Sequence, residues 1–294
     1  MILDAFIQLL PILIITGGGY LLSRLYSLSH DTLVKVIVDF LMPMLIFHAL
    51  YTSDIGGRMV LNLAGVTTFV VAVLLLVSFL YTRFAGIKTG HFIPSVLFMN
   101  SGFLGIPLMQ LWSGVAAMNI VVIYDQIQSI YIFTLGILII TGGLTVQGVR
   151  NLFKSPILWA IIGGFLFRFL NIPIPDPLLT TLDFGGKAAP PLAAFTVGVS
   201  LAVTSWHLDR HLIAALLLRF VGGFLCGMLG AYIFGLEGLE RTVVIVASAL
   251  PSAVFTSVMP LRYGIKADFA GTMVIVSTLL GIVTIPLSFF LASL

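Results

Sequence analysis

About ten apolar runs follow one another along this chain with only short loops between them, each near the roughly 20 residues a helix needs to cross a bilayer. They lie at roughly 5–25, 32–52, 59–82, 91–113, 117–142, 155–171, 184–206, 210–235, 240–263 and 267–292, with ends uncertain by a few residues. That pattern leaves no room for a sizeable soluble domain. With 60% hydrophobic and 9% charged residues, there is also too little polar surface to coat a soluble globule of 294 residues. The chain reads as one all-α membrane unit embedded in lipid, with ten transmembrane helices. The first run carries Asp4 where a secretory signal would be basic and has no convincing small-residue cleavage site, so it is kept as a mature helix.

Loop charges set an expected orientation, because Lys and Arg favour the cytoplasmic side. Arg24, Lys35, Arg83, Lys88, Arg150, Lys154, Arg210, Arg262 and Lys266 follow odd-numbered helices, against Arg58, Arg168, Lys187 and Arg241 on the other side. Both termini are therefore expected outside, with the linker at 143–154 in the cytoplasm. The formal charge of +3 is scattered through these loops and forms no patch, so nucleic acid is not an expected partner. The single cysteine, Cys226, rules out an intramolecular disulfide or a cysteine metal cluster.

The two halves, 1–142 and 155–294, share short matches in the same order. Pro11-Ile12-Leu13 with Gly18-Gly19 corresponds to Pro156-Ile157-Leu158 with Gly163-Gly164, and Leu135-Gly136-Ile137 to Leu280-Gly281-Ile282. Pro43 and Phe47 correspond to Pro191 and Phe195, and Pro107-Leu108 to Pro260-Leu261. An odd number of helices per half means that the second enters the membrane in the opposite sense, an inverted repeat. Chance matching among Leu, Ile and Gly is the competing explanation.

Two runs contain residues that a membrane helix tolerates poorly. Phe98-Met99-Asn100-Ser101-Gly102-Phe103-Leu104-Gly105-Ile106-Pro107 holds two glycines, each costing roughly 1 kcal/mol against alanine, and a proline that removes a donor. Ala249 to Pro260 holds Pro251 and Pro260 among Ser252, Thr256 and Ser257. Breaks are expected in the fourth and ninth helices, with Pro107 and Pro260 as breakers. Irregular backbone at bilayer depth survives only packed in protein or lining a wet cavity. Half-helix N-termini offer free N–H groups and about +0.5 charge each, a seat for an anion. Asn100, Ser101, Gly102, Gly105, Pro251, Ser252 and Thr256 are the candidate substrate-binding set. The plainer alternative is a pair of kinked helices whose small residues aid packing.

Ionisable residues inside spans are functional candidates by default. Asp125, in Tyr124-Asp125-Gln126-Ile127-Gln128-Ser129, can bind H⁺ or Na⁺, with Gln128 and Ser129 supplying neutral oxygens; a structural anchor is the alternative. Asp39 and Arg219 lie at similar depth and are expected to pair. A lone His48 more often satisfies a carbonyl than titrates functionally. His207 and His211 sit beside Asp209 at a loop. No phosphate-binding loop, Asp-rich motif or catalytic pair marks an enzyme, no organic cofactor is implied, and no metal other than Na⁺ is expected.

Asn100-Ser101-Gly102-Phe103-Leu104-Gly105-Ile106-Pro107-Leu108 resembles the fourth-helix motif of the auxin efflux carrier family. Leu250-Pro251, Arg262-Tyr263-Gly264 and Ile285-Pro286 resemble its last two helices, and Pro43 with Phe47-His48 its second. The resemblance implies ten helices in two inverted five-helix repeats, as in bile-acid symporters. Helices 1, 2, 6 and 7 would form a scaffold and helices 3–5 and 8–10 a mobile part with elevator-like movement. It also implies that Asn100 meets a substrate carboxylate, that Pro251 marks the second crossing, and that a homodimer forms through the scaffold. Asp54 and Arg58 resemble an Asp/Lys pair tied to proton coupling; a surface salt bridge worth under about 1 kcal/mol is the alternative. Met99 replaces a proline and Ile46 a small polar residue of the plant carriers, and the plant family's long hydrophilic loop is reduced to about a dozen residues. These departures resemble a prokaryotic member, and turn the expected substrate from indole acetate towards carboxylates such as malonate or malate.

The expected function is secondary active transport of a small carboxylate with H⁺ or Na⁺ across a bacterial inner membrane. An uncoupled carrier is the alternative, and a passive channel or membrane sensor a weaker one.

Overall fold

The computed structural model describes residues 2–52, 57–143, 146–203 and 209–293, and these residues are helical almost throughout, with one isolated β-bridge and no strand. In chain order the helices are α1 (Ile2–Leu25), α2 (His30–Val36), α3 (Met42–Thr52), α4 (Gly57–Ala85), α5 (Thr89–Leu97), α6 (Ile106–Tyr131), α7 (Ile137–Ile140) and α8 (Val146–Lys154). They continue as α9 (Pro156–Phe169), α10 (Asp176–Lys187), α11 (Ala189–Val203), α12 (Arg210–Leu217), α13 (Gly223–Ile233), α14 (Gly238–Ser248), α15 (Phe255–Arg262) and α16 (Asp268–Ala292). Among the described residues, five apolar stretches are long enough to cross a membrane: His30–Thr52, Arg58–Ala85, Leu108–Ile140, Arg210–Ile233 and Asp268–Ala292. The chain is a multi-pass membrane protein.

Several of these stretches stay helical by widening. π turns at Ile37–Leu41 and Ser101–Gly105 each end two residues before a proline, Pro43 and Pro107. Proline lacks a donor and presses on the carbonyl one turn earlier, and a wider i→i+5 turn relieves both problems without ending the helix. The same turn type joins α12 to α13 at Leu218–Gly222 and α6 to α7 at Ile132–Gly136.

Within Leu108–Ile140, Ser113 (φ −145°) and Gly114 (φ 73°, ψ −160°) leave helical geometry. The Ser101 hydroxyl nevertheless lies 2.7 Å from the Asp125 carboxylate, where a straight helix over that separation would set them about 36 Å apart. The chain therefore folds back at this pair, and Gly114 takes the left-handed conformation the reversal needs.

Several helix pairs approach closely through glycine. α1 packs on α11 so closely that a Cβ on Gly19 would strike the Phe195 carbonyl and one on Gly198 the Thr16 carbonyl. The Thr16 hydroxyl donates to the Ala194 carbonyl at 3.1 Å. α9 packs on α3 in the same manner, with Gly164 3.1 Å from the Phe47 carbonyl if given a Cβ, and Gly186 of α10 lies against the Leu45 backbone. Outer faces of the bundle carry Leu21, Phe84, Phe169 and Tyr232, suited to lipid.

Two boundaries differ from expectation. The seventh helix starts at Asp176 rather than near 184, because Asp176 and Pro177 open it and its first two turns are amphipathic, hiding them from a search for apolar runs. The linker at 143–154 holds the helix α8, whose Val146 and Phe153 are exposed beside Arg150 and Lys154.

Candidate functional site

Helix α5 stops at Leu97, Phe98 is extended, and the chain stays out of helix until the π turn begins at Ser101. α14 stops at Ser248, and helix resumes only at Phe255. The two gaps are paired. Asn100 N–H donates to the Pro251 carbonyl at 2.8 Å and Ala253 N–H to the Phe98 carbonyl at 2.9 Å, an antiparallel bridge centred on Met99 and Ser252. Leaving backbone groups unpaired at such depth would cost several kcal/mol each. The N–H groups of Phe98, Met99, Asn100, Ala249, Leu250, Ser252 and Ala253 are all paired. Met99 N–H donates to Gln128 Oε1 at 3.3 Å and its carbonyl accepts from Gln128 Nε2 at 2.6 Å, while Ser252 N–H reaches Ser277 Oγ at 3.0 Å. Phe98, Ala249 and Leu250 N–H groups bond to Pro94, Val246 and Ala247 carbonyls.

The interruption therefore sits at Met99 and at Pro251, where the resemblance put the second crossing, and not at Pro107 or Pro260. Pro107 follows the π turn that absorbs its missing donor, and Pro260 lies inside α15.

A cavity of about 490 Å³ opens against the first gap. Its polar lining is Asn100, Asp125, Gln126, Gln128, Ser129 and Lys187, set against apolar side chains of α3 and a wall of Phe103, Phe133 and Phe255. The Phe255 ring stands edge-on to Phe103 at 5.3 Å and to Phe133 at 5.9 Å. Asn100 is 3% exposed. Its Oδ1 accepts from Phe103 N–H at 3.3 Å, capping the turn that follows, and its Nδ2 has no partner among the described residues. A buried amide donor without an acceptor costs about 1–3 kcal/mol, so the position suits an incoming oxygen. The Asp125 carboxylate sits at the N-terminal end of the same turn, held by the Ser101 hydroxyl. Gly102 admits it, since a Cβ there would lie 3.0 Å from Oδ2 and 3.1 Å from Oδ1.

Of the predicted substrate residues, Asn100 and Gly102 line the cavity, and Ser101 touches it through Asp125. Gly105 instead makes room for the Leu250 side chain, 2.9 Å from where its Cβ would be. Pro251, Ser252 and Thr256 do not line the cavity. Ser252 Oγ is 3.3 Å from Thr256 Oγ1, Thr256 donates to the Ala253 carbonyl and Ser257 to the Val254 carbonyl, so these hydroxyls are occupied locally. Gln128 borders the cavity, but its oxygen is engaged by Met99; Ser129 borders it too. Asp54 lies outside the described residues, and Arg58 is exposed at the start of α4.

The expected Asp39–Arg219 pair is not formed. Asp39 Oδ1 accepts from Arg262 Nε at 2.8 Å, joining the Ile37–Leu41 turn to the end of α15, while Arg219 binds backbone carbonyls. Equal depth said nothing about which helices are neighbours. Sequence reasoning also passed over Lys187 and Gln126. Lys187, which pairs with Asp183 at 2.5 Å, brings the one cationic side chain to the lining, and Gln126 Nε2 reaches the Ala49 carbonyl at 3.4 Å. A cation four residues after an Asp on a helix was the only sequence signal, and it reads as an ordinary surface pair.

Gly102→Ala would force the carboxylate to retreat by a few tenths of an ångström. We expect substrate KM to rise by roughly 3–10-fold, about 1 kcal/mol, in reconstituted vesicles. An unchanged KM would place the substrate away from this turn.

Comparison with known proteins follows the same lines. A family model described as "Membrane transport protein" matches residues 4–145 and 144–289. An uncharacterized transporter of Methanothermobacter thermautotrophicus is 28% identical over 291 residues, spanning 95% of both chains. A putative malonate transporter of Rhizobium meliloti is 27% identical over 142 residues, 46% of this chain and 43% of its own. Auxin efflux carrier component 1 of Arabidopsis thaliana is 24% identical over 140 residues, 45% of this chain and 22% of its own.

Proposed function

Because this chain belongs to the membrane transport protein family that includes the auxin efflux carriers, and not to a family of enzymes, we propose that it is a secondary active carrier of a small organic anion, most simply a carboxylate. The observation that carries this reading is the unpartnered Asn100 amide facing a cavity that also holds Asp125. A substrate carboxylate accepts from Asn100 Nδ2 at the N-terminal end of the half-helix, where backbone N–H groups and the dipole favour negative charge. Asp125 already occupies that positive end with its own charge. Substrate and ionised Asp125 repel each other there, so binding of the anion is linked to neutralisation of Asp125 by H⁺ or by Na⁺ beside it. Lys187 offers a second positive charge across the cavity, and the relative named for malonate is consistent with a short dicarboxylate.

In this reading the halves are inverted five-helix repeats. Support comes from reciprocal contacts: Gly19 meets Phe195, Gly164 meets Phe47, and the two gaps meet each other. Helices 1, 2, 6 and 7 then form the scaffold, and helices 3–5 and 8–10 move past it as an elevator, carrying the crossing. A homodimer through the scaffold would give that movement a fixed support. The basic-residue bias supports both termini outside, in the plasma membrane of a prokaryote.

The test is uptake of labelled short mono- and dicarboxylates into proteoliposomes under imposed pH and Na⁺ gradients. Saturable, concentrative uptake is expected. Flux that does not saturate and never exceeds equilibration would mean a channel instead.

A further inference from the structure

We propose that Arg219 is a resident counter-cation of the crossing: its guanidinium supplies, as part of the chain, the positive charge that two converging half-helix C-termini require, and it holds those half-helices and its own helix together as one body. Arg219 is fully buried on the π turn between α12 and α13. Its Nη1 donates to the Val96 carbonyl, in the last turn of α5, and its Nη2 to the Ser248 carbonyl, the last residue of α14. Nε has no partner among the described residues, so the anchoring rests on these two carbonyls.

A buried charge without compensation costs several kcal/mol, and a carboxylate is the usual remedy. Here the compensation is backbone. Each helix C-terminus carries about half a negative charge in its unpaired carbonyls, so two ends together balance one guanidinium. The planar fork of arginine can serve two acceptors at once, which lysine's single ammonium does less well. The neighbourhood is built for this approach. A Cβ on Gly223 would collide with the Ser248 carbonyl and the guanidinium, and one on Gly227 would lie 2.8 Å from Ser248 Cβ. The Tyr124 hydroxyl, 3.0 Å from Ser248 Oγ, ties α6 to the same end, one residue from Asp125.

In carriers with broken helices, such carbonyl ends are where a transported cation is held. In this chain that place is taken by a side chain that cannot leave. The α5 and α14 ends therefore offer no exchangeable cation seat, and any ion coupling falls to Asp125.

The test compares R219A, R219K and R219M with wild type. Thermal unfolding of the purified proteins needs no substrate, and so decides the counter-cation role whatever the carrier reading; the transport arm rests on that reading. R219M is expected to lower both the unfolding midpoint and, by at least about tenfold, carboxylate uptake, equal to about 1.4 kcal/mol. Millimolar guanidinium should restore the R219A midpoint, whereas urea, its neutral counterpart in shape, should not. R219M matching wild type, or urea restoring R219A as well as guanidinium does, would overturn the proposal. If R219A does not fold, R219K against R219M decides: lysine should stay nearer wild type than methionine, and equal loss in both would also overturn it. Should wild type carry no carboxylate while guanidinium still restores R219A, the carrier reading alone falls.

Discussion

Asn100→Ala is expected to lower kcat/KM for the carboxylate by roughly 10–150-fold, the range given by losing a hydrogen bond to a charged group worth about 1.5–3 kcal/mol. Two losses combine. The Nδ2 donor that faces the cavity disappears, and so does the Oδ1 cap on Phe103 N–H, itself worth about 1 kcal/mol to the following turn. Asn100→Asp separates them, because aspartate keeps the cap and replaces the donor by a negative charge. It should be at least as inactive as alanine although the cap is kept, because its carboxylate repels that of the substrate. Both variants transporting at the wild-type rate and affinity would remove Asn100 from the substrate's path.

The second large effect concerns the driving force. If one H⁺ moves with each substrate through Asp125, a pH difference of one unit supplies about 1.4 kcal/mol, enough for roughly tenfold accumulation. Asp125→Asn is isosteric and can still accept from the Ser101 hydroxyl, so the turn it supports should remain intact. Its charge no longer changes. Uptake by the variant should level off at equal concentrations on both sides whatever gradient is imposed, while counterflow between substrate pools continues. Gradient dependence surviving in Asp125→Asn would assign coupling to another group, the Asp54–Arg58 pair first among them.

Much of the helical order was legible because lipid makes apolar length a direct signal: the runs over 59–82 and 267–292 differ from α4 and α16 by a few residues. The gap near Met99 was legible too, since glycines and a proline at bilayer depth need a reason. Its exact place was not. Proline marks where a donor is missing, but the π turn at Ser101–Gly105 absorbs that defect, and the helix opens earlier, where Gln128 satisfies Met99 on both sides. Residue type likewise did not give direction. Ser252 and Thr256 have the chemistry of Asn100's surroundings, yet their hydroxyls turn to each other and to the Ala253 carbonyl. Lys187 and the Asp39–Arg262 pair depend on which helices are lateral neighbours, and no single run of sequence carries that information.

The reciprocal glycine contacts have a consequence for biogenesis. Gly19 meets its partner Phe195 only after the intervening chain has been made, and at about 5–20 residues per second that takes roughly 10–35 s. Through that interval the amino-terminal segment stays in the bilayer with its glycine surface facing acyl chains or a translocon companion. Translation speed and insertase occupancy, more than the strength of any finished contact, should govern how much of the newly made protein matures.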